Sequence, residues 1–297
     1  MDRLGAMRIF VRIVKAGNFS AVARELNTTQ PTISKKITRL ENELGVKLLR
    51  RSSREQELTE AGQVYFQRCQ RILDEIDETE SIVRHQTIAP QGTLRITAPV
   101  DFSHSILAPL LKDFLQLYTD IHVDLILDNR EIDLVAEGVD VAIRVGELKD
   151  SSLFAKPVAE SFFCMVASPE YLKQYGTPSR PEDLIKHNCI TYSLLRVWDI
   201  VKNEKPGTVS VTGNMRCNNG DMILESALIG AGLAILPYWL VYEKLKAGSL
   251  KQIMQEAMPD AVPVSTVYLD KKYLPLKVQS FIDFFTTWAK VHPAFNL

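Results

Sequence analysis

The segment from residue 30 to residue 39 combines short hydrogen-bonding side chains with cations. The residues that we single out there are Gln30, Thr32, Ser34, Lys35, Lys36 and Arg39. Amide and hydroxyl groups can contact the edges of bases, whereas lysine side chains and the N-terminus of a helix hold phosphate groups. This order of residue types therefore predicts contact with nucleic acid.

Two short helices joined by a polar break are predicted to position these side chains. In the first helix Val22, Ala23 and Leu26 recur on one face, and Ser20 is placed to cap the start. The break Asn27-Thr28-Thr29 is too rich in side chains that bond the backbone to continue a helix. The pattern predicts a helix-turn-helix.

The second helix carries the polar segment. Thr29 or Gln30 is the predicted N-cap, and Pro31 suits the first turn. The predicted inner stripe consists of Ile33, Ile37, Leu40 and Leu44. A purely structural helical hairpin is the alternative, but such a helix usually carries Glu/Lys pairs opposite its stripe, and this one carries the polar segment instead.

A short basic wing is predicted after the second helix. Val46, Leu48 and Leu49 begin an extended run, and a basic tip separates it from a second short strand near Leu58. The candidates for phosphate contacts there are Arg50, Arg51 and Arg54. The alternative is a solvated run of charge with no ligand.

Charge is distributed unevenly along the chain. A length of 297 residues with 46% hydrophobic residues predicts about two domains with sizeable cores. The net charge of -1 hides a partition, because residues 1–58 hold 12 Lys and Arg against 6 Asp and Glu, whereas residues 89–297 hold 20 against 24. A small basic head on a neutral to acidic body is typical of a nucleic-acid-binding protein.

A long helix is predicted from about residue 59 to residue 86. Its apolar residues follow the period of a coiled-coil seam, namely Tyr65, Cys69, Ile72, Ile76, Thr79 and Val83. We expect this seam to pack on its copy in a second chain, so that a homodimer presents two heads to the half-sites of a DNA palindrome. The alternative is a helix that lies on the C-terminal body.

Strands and helices alternate after a hinge at residues 87–92. This pattern predicts an α/β body with a mainly parallel sheet in each of two lobes that enclose a cleft. The predicted domains are a winged helix-turn-helix domain at 1–58, a linker helix at 59–88 and an effector-binding domain at 89–297. Lobe I is predicted at about 93–161 and 266–297, and lobe II at about 162–265.

Residues that follow the predicted strands are candidates for the cleft lining, since ligands bind beyond the carboxyl ends of strands in open α/β sheets. The candidates are Val100, Asp101, Phe102, Ser103, Asn129, Arg144, Tyr192, Ser193, Asn218, Asn219 and Asp221. Helix N-termini together with Arg144 would suit a small carboxylate. Asp101 and Asp221 argue against that charge, or serve only as N-caps, so the sign of the ligand's charge stays open.

Membrane and catalytic functions have no support in the sequence. Neither a signal peptide nor an apolar run long enough to span a bilayer is recognisable, so we expect a cytoplasmic protein with no membrane contact. The cysteines Cys69, Cys164, Cys189 and Cys217 show no metal-binding spacing, and we expect free, mostly buried thiols. With no catalytic triad or phosphate loop recognisable either, we expect no enzyme activity, no cofactor and no metal site.

The chain resembles the LysR-type transcriptional regulators over essentially its whole length. The motifs that carry the resemblance are FSAVARELNTTQPTISKKITRLENELGVKLLRR at 19–51, LTEAG at 58–62, LRITAP at 94–99, DLVAEGVDVAIRVGELKDSSL at 133–153 and GAGLAILP at 230–237. The middle of the chain looks similar to the subgroup that includes the CrgA regulator. The resemblance implies a periplasmic-binding-protein-like effector domain, a small-molecule inducer, an interrupted DNA palindrome, and dimers that pair into tetramers. It also implies base contacts at Gln30, Pro31 and Ser34, with Thr32 and Lys35 beside them.

The main hypothesis is a sequence-specific DNA-binding regulator controlled by a small effector, with RNA polymerase as a further partner. A thiol-based redox-responsive regulator of the same family is one alternative, because Cys164, Cys189 and Cys217 all fall in lobe II. A solute-binding protein is suggested by the bilobed body alone, and an enzyme on the same body is the remaining alternative.

Overall fold

The computed structural model describes residues 2–51, 56–83, 89–148, 153–192, 197–202, 205–269 and 274–296. Contacts between residues divide the chain into two compact units, Met1–Ala89 and Pro90–Leu297.

The first unit is a small helical domain with a two-stranded wing. In chain order its elements are α1 (Arg3–Ala16), α2 (Phe19–Glu25), α3 (Gln30–Leu44), β1 (Leu49–Arg51), β2 (Gln56–Leu58) and α4 (Glu60–Val83). Its core joins α1, α2 and α3 through the fully buried side chains of Phe10, Val22, Ile33 and Leu40. The predicted inner stripe of α3 therefore lies where the apolar spacing indicated, with Leu44 partly buried at its end.

Side-chain caps fix the two helices of the predicted helix-turn-helix. Asn18, and not Ser20 as predicted, caps α2, because its Oδ1 accepts the Ala21 N–H at 2.7 Å, while Ser20 lies inside the helix. Thr29 caps α3, and Asn27 takes a left-handed φ of 48° in the turn, a conformation that asparagine tolerates.

A close approach anchors α4 to the wing. The Thr59 hydroxyl donates to the Lys47 carbonyl at 2.6 Å and accepts the Gly62 N–H at 2.9 Å. A Cβ atom on Gly62 would lie 2.0 Å from the Leu48 carbonyl oxygen, so only glycine allows the backbone to pass there.

The second unit begins with the larger part of lobe I. Its elements in order are β3 (Gly92–Ala98), α5 (Val100–Phe102), a π-helical turn (Ser103–Leu107), α6 (Ala108–Leu117), β4 (Ile121–Leu127), α7 (Leu134–Glu137), β5 (Val141–Val145) and β6 (Phe154–Ser161). The helical segment after β3 begins at Val100, and a π turn separates α5 from α6. Asp133 caps α7, because its Oδ1 accepts the N–H groups of Val135 and Ala136.

Lobe II follows, and the chain then returns to lobe I. The elements of lobe II are β7 (Phe163–Ala167), α8 (Pro169–Tyr175), a 3-10 turn (Pro181–Lys186), β8 (Cys189–Tyr192), β9 (Val197–Lys202), β10 (Lys205–Ser210), β11 (Arg216–Cys217), α9 (Gly220–Leu228), β12 (Leu233–Pro237), α10 (Tyr238–Lys246), β13 (Lys251–Ile253) and a 3-10 turn (Gln255–Ala257). The return comprises β14 (Val262–Tyr268), α11 (Leu276–Val291) and a 3-10 turn (Pro293–Phe295). Since β14 pairs with β5 and β6 from Val262 onward, lobe I resumes before the predicted boundary at residue 266.

Each lobe contains a mixed five-stranded sheet, which corrects the expectation of mainly parallel sheets. In lobe I the order is β4-β3-β5-β14-β6, with β3 parallel to β4 and β5, and with β14 antiparallel to both of its neighbours. In lobe II the order is β11-β8-β12-β7-β13, and β7 is antiparallel to both neighbours. The hairpin of β9 and β10 forms a separate two-stranded sheet.

One apolar core runs through both lobes. It includes Ile96, Phe114 and Phe285 from lobe I and Val166 and Leu236 from lobe II. The two lobes are therefore packed on one another as well as connected by strands.

Candidate functional site

The exposed face of α3 presents the side chains that were predicted to contact nucleic acid. Gln30, Pro31, Thr32, Lys35 and Lys36 are exposed, whereas Ser34 is half-buried. The Thr29 and Thr32 hydroxyls lie 2.8 Å apart and close the first turn. The helix N-terminus and its polar side chains are thus accessible together, next to two lysines.

Ser20 of α2 joins this face, which the sequence did not predict. Its hydroxyl donates to Gln30 Oε1 at 3.3 Å across the turn between the helices. The bond connects the carbonyl oxygen of the Gln30 side chain to α2. Ser20 could have been identified from its position, because it is a polar residue in the first turn of α2, near the start of α3.

The predicted phosphate-contacting arginines have different surroundings. Arg39 is exposed, and its Nε donates to Glu43 Oε1 at 3.3 Å in a pair one helical turn apart. Arg50 is exposed on β1 and lies opposite Glu57 in the strand register. Exposed ion pairs are weak, so neither acidic residue prevents these arginines from meeting a phosphate. The Arg51 side chain and all of Arg54 lie outside the described residues.

A buried carboxylate, Glu41, connects α3 to the wing and was not predicted. Its side chain is 6% exposed, and Oε1 accepts the N–H groups of Leu48 at 2.9 Å and Leu49 at 3.2 Å. Oε2 accepts from Lys47 Nζ at 2.6 Å. Burial by itself raises the pKa of Glu41, but the bonds from Lys47 and the two backbone N–H groups outweigh it and lower that pKa below 4.5.

Part of the predicted dimer seam is already covered within one chain. Cys69 is fully buried, and together with Leu73 it packs against Met7 and Val11 of α1. The partly buried Tyr65 also packs on this cluster, and the fully buried Cys69 faces α1 and not a second chain. Leu73 was not part of the predicted seam. It completes the contact with α1, because one side of α4 packs on its own domain.

The rest of the seam has a different exposure. Ile72 is 43% exposed, Thr79 is exposed and Ile76 is half-buried. The side chain of Val83 lies outside the described part of the chain. Val64, also apolar and exposed, lies two turns before Ile72 on the same helix.

The second unit contains a cavity of about 430 Å³ between the lobes. Lobe I contributes Pro99, Asp101, Asn129 and Val145 to its lining. The rest of the lining consists of Phe163, Tyr192, Val197, Trp198, Asp199, Gly220, Ile235, Leu236, Pro237, Trp239 and Pro259. This volume and this mixture of apolar and polar groups suit a small organic ligand.

Asp101 bridges the two lobes at the edge of the cavity. Its side chain is 7% exposed, Oδ2 accepts the Gly220 N–H at 2.8 Å, and Oδ1 accepts from Asn219 Nδ2 at 2.8 Å. A Cβ on Gly220 would lie 2.7 Å from Oδ2, so this glycine makes room for the carboxylate. Burial raises the pKa of Asp101, as does the nearby Asp221, while the bond from Gly220 opposes the shift.

Two further contacts between the lobes involve predicted ligand residues. Asn129 Oδ1 accepts the Val100 N–H at 2.8 Å, and its Nδ2 donates to the Asn218 carbonyl at 3.2 Å. Asp221 lies 3.3 Å from His104 Nδ1. Val100, Asn218, Asn219 and Asp221 are therefore partners of these contacts and are not among the residues that line the cavity.

Three other predicted ligand residues make contacts within the protein and are not among the residues that line the cavity. Phe102 is fully buried and packs edge-on against Trp239, with ring centroids 5.1 Å apart. Ser103 is buried, and its hydroxyl donates to the Val100 carbonyl. Alternation along β5 places Arg144 on the opposite face from the lining residue Val145, and its Nη1 donates to the Ile143 carbonyl at 3.1 Å. Burial lowers the pKa of Arg144, with Glu131 and Asp128 opposing that shift. Ser193 lies outside the described residues.

Most of the aromatic lining was missed. Trp198 and Asp199 lie on β9, a strand that the sequence did not predict. Trp239 lies in the first turn of α10, and its Nε1 donates to Ser161 Oγ at 3.0 Å. The alternating pattern of residues 197–201 was the available signal for β9. Of the predicted ligand set, Asp101, Asn129 and Tyr192 line the cavity.

The thiols of lobe II differ in burial. Burial raises the pKa of both Cys164 and Cys189 to about 12, which keeps these sulfurs protonated and weakly nucleophilic. Cys217 is partly exposed. Burial likewise raises the pKa of Cys69 in the first unit to about 11.

Within the described residues, no helix has the length and apolar character needed to cross a membrane. In the same part of the chain, no group of three or more His, Cys, Asp or Glu side chains is placed to hold a metal ion.

Comparisons with known proteins cover nearly the whole chain. Residues 4–63 match the family model described as bacterial regulatory helix-turn-helix protein, lysR family, and residues 88–290 match the LysR substrate binding domain. The chain is 36% identical over 291 residues to the HTH-type transcriptional activator AaeR of Escherichia coli (strain K12), which covers 97% of this chain and 94% of the relative.

Solved structures agree with these matches. CrgA, a LysR-type transcriptional regulator from Neisseria meningitidis, has a TM-score of 0.63 and 32% identity over 95% of this chain and 97% of that one. The full-length Vibrio cholerae virulence activator AphB has a TM-score of 0.61 and 28% identity over 96% and 98%. The predicted fold class, a winged helix-turn-helix domain, a long helix and a two-lobed α/β domain, is thereby confirmed.

Proposed function

The chain belongs to the LysR family of transcriptional regulators, as its motifs predicted, and we propose that α3 reads a DNA half-site while the cavity between the lobes receives the controlling effector. The family combines a DNA-binding helix-turn-helix with an effector-binding domain. We further propose that the protein acts in the cytoplasm, where the chromosome is accessible to it.

The exposed polar face of α3 supports this proposal most directly. Gln30, Thr32 and Lys35 surround an accessible helix N-terminus, while Ile33 and Ile37 of the same helix are buried in the core. A helix fixed by its apolar face can insert its opposite face into a major groove, where amide and hydroxyl groups meet base edges. Arg50 and Lys36 then suit contacts with the phosphate backbone.

The test measures binding of the full chain to the DNA that flanks its gene and to a scrambled duplex. Gln30→Ala should cost about 1 to 3 kcal/mol on the specific duplex and little on the scrambled one, because a lost base contact affects only the cognate sequence. Asn42→Ala is the matched control, since Asn42 carries the same functional group on the exposed side of the last turn of α3. Equal losses on both duplexes would count against a base contact by Gln30.

Arg50→Ala distinguishes the second kind of contact. Loss of a phosphate contact should weaken both duplexes alike and reduce the dependence of binding on salt concentration. An unchanged salt dependence would remove Arg50 from the set of phosphate contacts.

We propose that α4 also forms the homodimer that places two α3 helices on an interrupted palindrome. Ile72 and Val64 remain exposed although the neighbouring Cys69 and Leu73 of the same helix are covered by α1, so the helix keeps an apolar surface for a second chain. Ile72→Asp should halve the mass in solution, as measured by light scattering. Ile185→Asp is the control, since Ile185 is 67% exposed in the second unit. An unchanged mass for Ile72→Asp would exclude this seam.

Pairing of dimers into tetramers, and contact with RNA polymerase, are extensions of the same proposal.

A small-molecule effector is favoured over a thiol switch as the signal. The cavity offers a site between two lobes, whereas the thiols of Cys164 and Cys189 are buried and protonated at neutral pH. Cys217 is the thiol on which a redox-responsive regulator would depend, because it is the partly exposed one in lobe II.

A further inference from the structure

The lining of the cavity restricts the charge of the molecule that it accepts. We infer that the effector is a small organic ammonium ion with an apolar, aromatic-sized body, held between the aromatic side chains and the two carboxylates of the cavity. This inference rests on the proposed function, because it assigns a chemical class to the same effector site.

The walls are apolar and aromatic. Phe163, Tyr192, Trp198 and Trp239 border the cavity, together with aliphatic and proline side chains. Aromatic rings attract a cation through the negative face of the ring, most strongly where water is excluded, and they also cover an apolar body.

The formal charges in the lining are negative. Among the lining residues that the structure describes, Asp101 and Asp199 are charged, and there is no Lys, Arg or His. An anionic ligand would meet these two carboxylates, and none of the described lining residues carries a positive charge to offset them, whereas an ammonium group would be attracted to both.

The donors at the two helix starts beside the cavity are already used. The Gly220 N–H at the start of α9 and the Asn219 side chain both donate to Asp101, and the Val100 N–H at the start of α5 donates to Asn129. Asp101 therefore occupies the position at the N-terminus of α9 that a ligand carboxylate would take. Arg144, the other predicted anion ligand, is half-buried on β5 and is not among the residues that line the cavity.

Asp199 is the residue on which the inference can be tested without disturbing the fold. It is exposed on β9 and lines the cavity, whereas Asp101 is buried in the contact between the lobes. An Asp199→Asn substitution removes the negative charge and keeps the size of the side chain.

The experiment titrates the full chain with three probes of matched shape, namely phenethylamine, 2-phenylethanol and phenylacetate. Binding is measured by calorimetry and by tryptophan fluorescence, since Trp198 and Trp239 line the cavity. Phenethylamine should bind most tightly, and Asp199→Asn should weaken it about tenfold while leaving 2-phenylethanol unaffected. Asp120→Asn, an exposed aspartate in the turn before β4, is the control and should change neither affinity.

Tyr192→Ala separates the two ways in which the inference can fail. Tyr192 is half-exposed in the lining, so its removal should weaken any ligand of the cavity without unfolding the lobe. Preference for phenylacetate, with loss of binding in Tyr192→Ala, would overturn the ammonium inference and leave the effector site in place. If no probe binds, or if Tyr192→Ala weakens the binding of none of them, both the inference and the assignment of the cavity as the effector site would be overturned.

Discussion

Each unit of this regulator buries one carboxylate that joins two pieces of backbone, and the two carboxylates have opposite electrostatic situations. Glu41 joins α3 to the wing and has the ammonium group of Lys47 at 2.6 Å. Asp101 joins lobe I to lobe II at the start of α9, and its neighbour Asp221 adds a like charge. The pKa of Glu41 is consequently lowered, whereas that of Asp101 is raised.

The difference in pKa between the two carboxylates corresponds to the different role of each contact. In the first unit a compensated charge holds the wing in a fixed position beside the recognition helix, which suits an element that must match a rigid groove. In the second unit a carboxylate bonded to neutral donors lies at the contact between the lobes, where burial of the ionised group costs free energy. A ligand that adds positive charge nearby can change such a contact more easily, and the cavity borders this contact.

The largest expected effect is the loss of Glu41. Glu41→Ala leaves the buried N–H groups of Leu48 and Leu49 without an acceptor and should lower the free energy of unfolding of the first unit by about 3 kcal/mol. Glu41→Gln is the matched control. Its carbonyl oxygen can replace Oε1, which accepts both backbone bonds, so it should cost only about 1 kcal/mol through the lost pair with the exposed Lys47.

The two units need separate probes in these measurements. All three tryptophans, Trp198, Trp239 and Trp288, lie in the second unit, so their fluorescence reports on it alone. Pulse-labelling hydrogen exchange of peptides from residues 2–51, after equilibration in urea, reports on the first. Equal losses for Glu41→Ala and Glu41→Gln would show that the charge pair, and not the two backbone bonds, fastens the wing.

A smaller effect is expected for Gly220→Ala in the second unit. The added Cβ would lie 2.7 Å from Asp101 Oδ2, so the carboxylate must move and its bond to the Gly220 N–H is weakened. We expect a loss of about 1 to 2 kcal/mol in urea unfolding followed by tryptophan fluorescence. Gly207→Ala is the control, because a Cβ there meets nothing within 4 Å. A stabilised Gly220→Ala variant would mean that the gain in helix propensity exceeds the value of the Asp101 contact.

The sequence predicted the elements whose pattern is local. Apolar spacing located α3 and its buried face, and Thr29 and Pro31 marked its start. The polar face of α3 was predicted for the same reason, since residues that are not in the core stripe of an amphipathic helix remain exposed.

Contacts between distant residues escaped prediction. Asp101 and Asn219 are 118 positions apart, so their bond could not be inferred from either neighbourhood. The role of Glu41 was not predicted, because its partners belong to the wing and not to its own helix. Cys69 was assigned to a seam between chains, since the period of an apolar stripe does not say which surface covers it, and here α1 covers it.

The pH dependence is the smallest expected effect, and its sign differs between the two carboxylates. Because the folded-state pKa of Glu41 is lowered, its stabilisation is complete above the unfolded value near 4.5 and is lost as the pH falls through the folded value. The folded-state pKa of Asp101 is raised above 3.8, so the folded second unit binds a proton more tightly than the unfolded one, and acidification through this range stabilises that joint. Urea unfolding is measured at pH 7 and near pH 4, with the hydrogen-exchange labelling pulse applied at one fixed pH. In the first unit, wild type should lose stability relative to Glu41→Gln between these two pH values. In the second unit, wild type should gain stability relative to Asp101→Asn over the same interval. The same sign in both units would remove the electrostatic contrast, because it would mean that Asp101 is compensated in the folded protein as Glu41 is.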